Sequence, residues 1–208
     1  MWGLYKRHPG FVLGFHGCDR AVGEAVLAGN KHLKSSENDY DWLGPGMYFW
    51  EGNPARALQF ATDAANDDPV SSQGRIESPF VVGAIIDLGL CCNLLDSASL
   101  KELKEAHLKL TGALDSTGTE HPRNLSGPDR RARYLDCAVI RSMQRLRIES
   151  RLAAYDSVRG AFWEGGDLYP GAGFSAKGHV QIAVVNPDCI RGYFRPIPLS
   201  ARTPAAAR

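Results

Sequence analysis

Four short apolar runs, each bounded by glycine, proline or polar residues, constrain the fold more than any other feature of the sequence. They lie at 12–15, 47–50, 79–88 and 179–185. Each is short and rich in apolar, aromatic or β-branched residues, which favours strands over helices. The chain is therefore expected to build a sheet from segments that are far apart in sequence.

Longer segments with helical signals lie between these runs. The predicted helices are those at 19–28, 54–65, 97–111 and about 129–150. Asp19 and Asn53 offer side-chain acceptors for the first turns of the first two helices. Ser97 or Ser99 is expected to begin the third helix and Gly112 to close it. A last extended segment is expected at 190–199, so the chain is predicted to have an α+β fold.

Length and composition limit the class of protein. With 208 residues, of which 44% are hydrophobic and 23% charged, residues 1–200 are expected to form a single domain and 201–208 a frayed tail. No segment approaches the roughly 18 apolar residues of a membrane span, and no signal peptide is evident. The five cysteines include no Cys-x-x-Cys pair, which disfavours disulfides and a metal site. A cytoplasmic location fits these features, with neither membrane nor metal partner expected.

Arginines are unevenly distributed along the chain. Nine of the seventeen lie between 123 and 159. Six of these nine lie in the helix predicted at 129–150, on the face away from its apolar residues. That face is either a solvated face or a docking face for the phosphates of a nucleic acid. The sequence leaves both interpretations open, and a protein target remains an alternative to RNA or DNA.

Three short motifs follow one another along the chain, beginning at Gly14 (Gly-Phe-His-Gly-Cys), Gly44 (Gly-Pro-Gly-Met-Tyr-Phe) and His179 (His-Val-Gln-Ile-Ala-Val). In this order the three segments resemble the ADP-ribosyltransferase superfamily, most closely its diphtheria-toxin-like and poly(ADP-ribose) polymerase-like branch. The three segments together comprise 17 of the 208 residues. The resemblance implies a split, mainly antiparallel sheet with a cleft for NAD between its halves.

The same resemblance assigns residues to the NAD cleft. Gly17 would offer a backbone N–H and C=O to the nicotinamide carboxamide, and His16 would donate to a hydroxyl of the adenosine ribose. Tyr48 and Phe60 would stack on the cationic nicotinamide ring. Cys18 and Phe49 flank these motif residues and are included in the predicted cofactor-binding set, although a small buried side chain is the simpler interpretation of Cys18.

The sequence departs from the family at the catalytic glutamate, whose place is taken by Gln181. A carboxylate there would stabilise the oxocarbenium-like centre that forms when the nicotinamide–ribose bond breaks, whereas an amide only orients the ribose. Glu164, in the glycine-rich segment before the last motif, is the alternative source of charge. Arg159 either grips the NAD pyrophosphate or forms a structural ion pair with Asp156.

Taken together, the resemblance implies transfer of a single ADP-ribose from NAD to a macromolecule. The expected acceptor is RNA or DNA first and protein second. An intracellular toxin or anti-phage effector with an antitoxin partner would suit such a chain by analogy. The alternatives are an NAD glycohydrolase, in which water replaces the macromolecule, and a degenerate module that binds NAD or ADP-ribose without catalysis.

Overall fold

The computed structural model describes residues 10–66, 75–125 and 132–197. Within these ranges lie seven strands: β1 (Val12–Asp19), β2 (Met47–Glu51), β3 (Pro79–Ile86), β4 (Cys91–Asn93), β5 (Ser157–Phe162), β6 (His179–Val184) and β7 (Ile190–Phe194). The helices there are α1 (Arg20–Leu27), α2 (Pro54–Asn66), α3 (Ser97–Thr117) and α4 (Tyr134–Glu149). The predicted α+β class is confirmed. The predicted tail at 201–208 and residues 129–131 of the last predicted helix lie outside the described residues.

The seven strands form one sheet in the order β4-β5-β6-β2-β1-β3-β7. Every neighbouring pair is antiparallel except β4 and β5, which are parallel. β1 pairs with β3 along its whole length, from Val12 to Asp19, but with β2 over only two residue pairs. The sheet is thus mainly antiparallel, and its two halves separate just beyond Phe15.

Helices cover both faces of the sheet. α1 packs on one face, where Gly23 touches Phe80 and Val82 of β3, and we call this the α1 face. The opposite face, called the α2 face, carries α2 over β1 and β3, and α3 and α4 over β4 to β6. Because side chains alternate along a strand, each strand contributes to both cores.

Local signals set several helix ends as expected. The Asp19 carboxylate accepts a hydrogen bond from the Ala21 N–H (2.8 Å), and the side-chain Oδ1 of Asn53 accepts one from the Arg56 N–H (3.0 Å). Gly29, directly after the first helix, adopts a positive φ of 75°. These side-chain acceptors satisfy donors that a helix start would otherwise leave unpaired.

Three predictions about secondary structure were wrong. Asp96, rather than Ser97 or Ser99, caps α3, which then continues through Gly112 to Thr117 and ends at Gly118 in a left-handed conformation. A glycine inside a helix costs only about 1 kcal/mol, which the flanking helix formers offset. β4 and β5 were not predicted, because β4 has three residues and β5 includes Arg159 and Gly160.

Candidate functional site

The three motif segments fall on the three central strands of the sheet. The first lies on β1, the second leads into β2 and the third is β6, and β2 is between the other two. The Gly44-Pro45-Gly46 turn places β2 in this position, since Gly44 takes a φ of 73° that favours glycine. The fold thus brings together segments that are far apart in sequence, since more than 130 residues separate Gly46 from His179 along the chain.

The first part of the candidate site is the opening between β1 and β2, which we call the strand opening. The Gly52 N–H donates to the Leu13 carbonyl (2.8 Å), so the backbone groups of Leu13 face β2. Backbone N–H and C=O groups alternate between the two sides of a strand, so those of Leu13, Phe15 and Gly17 all face β2. The β1–β2 pairs end at Phe15, and Gly17 therefore presents its N–H and C=O to the opening.

His16 takes the hydrogen bond that a continuous ladder would have given to Gly17. Its Nδ1 lies 2.8 Å from the Tyr48 carbonyl oxygen, which can only accept, so Nδ1 carries the proton. Burial lowers the pKa of His16, which favours the neutral ring. Its Nε2 then has a lone pair and no proton. A ribose hydroxyl would therefore donate to His16, the reverse of the direction expected from sequence.

Gly17 is also held closely by α2. A Cβ at this position would collide with the Ala57 carbonyl oxygen, so only glycine allows α2 to lie this close to β1. The neighbouring residue Arg56 points to the other part of the site. Consecutive residues of α2 thus contact the strand opening and the Glu164 cluster described next.

The second part of the site is a buried set of polar side chains on the α2 face, which we call the Glu164 cluster. Its members are Arg56, Glu164, His179, Trp50 and Gln181. The Glu164 carboxylate lies 2.8 Å from Arg56 Nη2 and 3.6 Å from His179 Nδ1, and the Arg56 and Glu164 side chains are each 11% exposed. Glu164 follows the end of β5 by two residues and is held in place by this ion pair.

Gln181 lies on β6, on the same face of the sheet as His179. It is buried, directly opposite Trp50 of β2 and Gly160 of β5. His179, two residues earlier, has a fully buried side chain whose Nδ1 bonds the Lys177 carbonyl at 2.7 Å. Burial lowers the pKa of His179 and keeps it neutral. Glu164 and Gln181 therefore flank one neutral imidazole on one face of the sheet.

Several buried nitrogen atoms of this cluster have no hydrogen-bond partner. They are Arg56 Nε and Nη1, Trp50 Nε1 and His179 Nε2. The Arg56 guanidinium lies 5.7 Å from the Trp50 ring centre, and the Trp50 and His179 rings are 6.3 Å apart. Unpaired buried polar atoms cost free energy, so their concentration distinguishes this cluster from an ordinary apolar core.

The structure places the remaining predicted residues elsewhere. The Tyr48 ring packs toward α4, and its hydroxyl accepts from the Leu43 N–H (2.8 Å) and donates to the Gly44 carbonyl (2.7 Å). Its ring is thus part of the core, and Trp50 rather than Tyr48 contacts Phe60, at 5.0 Å between ring centres. Cys18 and Phe49 are buried in the core on the α1 face.

Arg159 lies on the α1 face, whereas Gln181 lies on the α2 face. The Arg159 guanidinium already has an ion-pair partner. It donates two hydrogen bonds to the Glu51 carboxylate and one to Asn93, and Glu51 raises its pKa. The ion pair expected with Asp156 was wrong, because Asp156 instead accepts from the Leu90 N–H and the Asn186 side chain. A structural ion pair is the interpretation of Arg159 that these contacts favour.

The arginines of α4 are also largely engaged within the protein. Arg141 donates to the carbonyls of Glu37 and Asn38, and Arg147 pairs with Glu102. Arg145 is exposed and forms a loose pair with Glu149 at 3.8 Å. These contacts favour a structural role for much of this face over a dedicated docking surface.

Sequence reasoning assigned no role to Arg56, Trp50 or His179. One signal for Arg56 existed: a cation in the first turn of a helix opposes the helix dipole, which indicates a tertiary partner. Trp50 and His179 gave no such signal, because a tryptophan in an apolar strand and a histidine at a strand start are ordinary core residues.

Comparison of the chain with protein-family models, curated proteins and solved structures gave no significant match. Across the described ranges, no helix is long and apolar enough to cross a bilayer. The same part of the chain contains no group of three or more His, Cys, Asp or Glu side chains that could hold a metal ion.

Proposed function

We propose that the protein binds NAD at the strand opening and transfers its ADP-ribose to a macromolecular acceptor. The observation that carries this proposal is the end of the β1–β2 ladder at Phe15, which leaves the backbone N–H and C=O of Gly17 facing the opening. One donor and one acceptor on the same residue match the C=O and NH₂ of a carboxamide. This supports the ADP-ribosyltransferase-like fold that the motifs indicate.

His16 extends the recognition to a ribose hydroxyl. A neutral imidazole with its proton on Nδ1 presents an acceptor at Nε2, and a hydroxyl can donate to it. In this arrangement Tyr48 contributes its backbone carbonyl, which orients His16, rather than its ring. Stacking on nicotinamide falls instead to Phe60, which is partly exposed on α2 next to Trp50.

The reaction breaks the bond between the ribose C1′ and the nicotinamide nitrogen, and nicotinamide leaves with the electron pair. An acceptor nucleophile then bonds to C1′ and gives up its proton. Gln181 remains our first choice for the residue at the reacting ribose, where it orients a hydroxyl. Glu164 is the alternative, since it is the carboxylate of the same cluster and would stabilise the developing positive charge.

The two alternative functions, an NAD glycohydrolase and a binding module without catalysis, are supported by the charge state of the Glu164 cluster. Glu164 is neutralised by Arg56, and Gln181 carries no charge, so neither candidate supplies an uncompensated negative charge in this conformation. This favours slow cleavage of NAD by water, or binding without catalysis, over chain elongation. A role as an intracellular toxin or anti-phage effector, with an antitoxin as partner, is part of the proposal only by analogy.

The test is incubation of the full chain with NAD labelled in its adenylate part, alone and with RNA, DNA or protein extract. Label in a macromolecule supports transfer, free ADP-ribose alone supports the glycohydrolase, and unchanged bound NAD supports the binding module. His16→Gln should weaken NAD binding severalfold, whereas His32→Gln, at an exposed position, should not. Equal binding by wild type and both variants would overturn the strand opening as the NAD site.

Glu164→Gln and Gln181→Glu decide which group lies at the reacting ribose. If Gln181 is that group, Gln181→Glu should raise single-turnover NAD cleavage by restoring a carboxylate, and Glu164→Gln should change it little. If Glu164 supplies the charge, Glu164→Gln should slow cleavage about 10²- to 10³-fold with NAD still bound. Wild-type rates for both variants would exclude both residues.

A further inference from the structure

A cavity of about 440 Å³ opens on the α2 face between α3, α4 and the end of β5, and we call it the α3–α4 cavity. This volume is in the range of sites that enclose small organic ligands. Apolar and aromatic side chains make up most of its lining. Among them are Trp42, Leu103, Val139, Ile140, Phe162 and Trp163.

The cavity adjoins the residues assigned above to the reacting ribose. Gly160 and Phe162, which line it, are the direct partners of Gln181 and His179 in the β5–β6 ladder. Trp163 immediately precedes Glu164 in the chain. A group bound in the cavity would therefore lie next to the Glu164 cluster, on the side away from the strand opening.

Two aromatic features suit a flat ring. Trp163 is 64% exposed at the edge of the cavity, although it is a large apolar side chain that burial would stabilise. Trp42 and Phe162, deeper in the wall, are already covered by the Arg133 guanidinium, which lies 4.3 Å and 4.9 Å from their ring centres. Trp163 is thus the aromatic surface that remains open to a ligand.

The charges around the cavity suit an anion attached to that ring. Lys104, His107, Arg133 and Asp136 contribute to the lining. Asp136 is paired with Arg133 at 3.3 Å, and Arg133 Nε is buried without a hydrogen-bond partner. The charges of Arg133 and Asp136 cancel, so Lys104 gives the lining a net positive charge, with His107 left out of this count.

We propose that the α3–α4 cavity binds one nucleotide of a single-stranded nucleic acid, with the base on Trp163 and a phosphate near Lys104 and Arg133. The inference rests on the proposed function, because this nucleotide would be the acceptor of ADP-ribose. A base in a duplex is stacked and cannot enter a cavity between two helices, whereas a base in a single strand can turn outward. Stacking on an aromatic side chain tolerates any base, so the site selects strandedness more than sequence.

Binding of labelled single-stranded RNA and DNA oligonucleotides to the full chain, without NAD, tests the inference by fluorescence anisotropy over a salt series. Trp163→Ala should weaken binding about 5- to 150-fold, the range for loss of one base–aromatic stack. Phe174→Ala is the matched control, because Phe174 is equally exposed but does not line the cavity. Lys104→Ala should reduce the salt slope by about 0.7, the value for one phosphate contact on a single strand, whereas Lys101→Ala, one turn away on α3, should not.

Equal losses for Trp163→Ala and Phe174→Ala, or no oligonucleotide binding by the wild type, would overturn the inference. If the wild type nevertheless transfers ADP-ribose to proteins, the proposed function stands and the acceptor is a protein. If oligonucleotides bind in a Trp163-dependent way but NAD is never cleaved, the cavity assignment stands and the proposed function fails.

Discussion

Replacing Arg56 by methionine removes the cation that neutralises the buried Glu164 carboxylate. The two side chains are each 11% exposed and their charged atoms are 2.8 Å apart, so solvent screens the pair weakly. Removing one partner of a buried pair costs about 3 kcal/mol or more, because the other charge is left uncompensated. For a chain of this length, about 3 kcal/mol lowers the midpoint of thermal unfolding by roughly 6 to 12 °C.

A second substitution tests whether the loss of stability comes from the uncompensated Glu164 carboxylate. Glu164→Gln, added to Arg56→Met, replaces the unpaired carboxylate by an amide of the same shape. The double variant should therefore be more stable than Arg56→Met alone, by about 1 kcal/mol or more. Two independent destabilising substitutions would instead add their losses.

Chemical denaturation followed by tryptophan fluorescence measures the free energies of unfolding of the wild type, both single variants and the double variant. Arg145→Met is the control, because Arg145 and Glu149 are 66% and 59% exposed and 3.8 Å apart. Its cost should stay below about 0.5 kcal/mol. Equal costs for Arg56→Met and Arg145→Met, or a double variant less stable than Arg56→Met, would refute the buried ion pair.

Three further predictions follow from burial and hydrogen bonding. Burial holds the pKa of His179 below 6.5, so the unfolded chain binds more protons and the free energy of unfolding falls as the pH drops below 6.5. His179→Gln should reduce this fall, as measured by urea unfolding between about pH 7.5 and 5.5. An unchanged dependence of the free energy of unfolding on pH would contradict this prediction. Tyr48→Phe removes both hydrogen bonds of the hydroxyl and keeps the ring, so it should cost about 1 to 3 kcal/mol in the same assay with little change in NAD affinity; an unchanged free energy of unfolding would contradict these two hydrogen bonds. All five cysteines are buried with raised pKa values, so an aromatic disulfide reagent should label them only after unfolding, and a fast-reacting native thiol would count against this packing.

Local sequence determined the elements whose signals lie within a few residues. Asp19, Asn53 and Gly29 set helix ends through contacts with neighbouring backbone groups, so their roles follow from the sequence alone. The apolar runs of β2, β3 and β6 were equally clear, because a continuous apolar strand is buried on both faces. β5 gave no such pattern, since its Arg159 is stabilised by Glu51, a residue on another strand.

In the candidate site, too, some features follow from local sequence and others from contacts between distant segments. The motifs predicted that His16 and Gly17 lie together, because they are adjacent in the chain, and that Gln181 lies on a strand. Only the tertiary structure decided that β1 and β2 separate at Phe15, that Tyr48 turns its ring into the core, and that Glu164 meets Arg56 across 108 residues. Capping and strand patterns depend on near neighbours, whereas ladder ends, ring orientation and ion pairing depend on how distant segments pack.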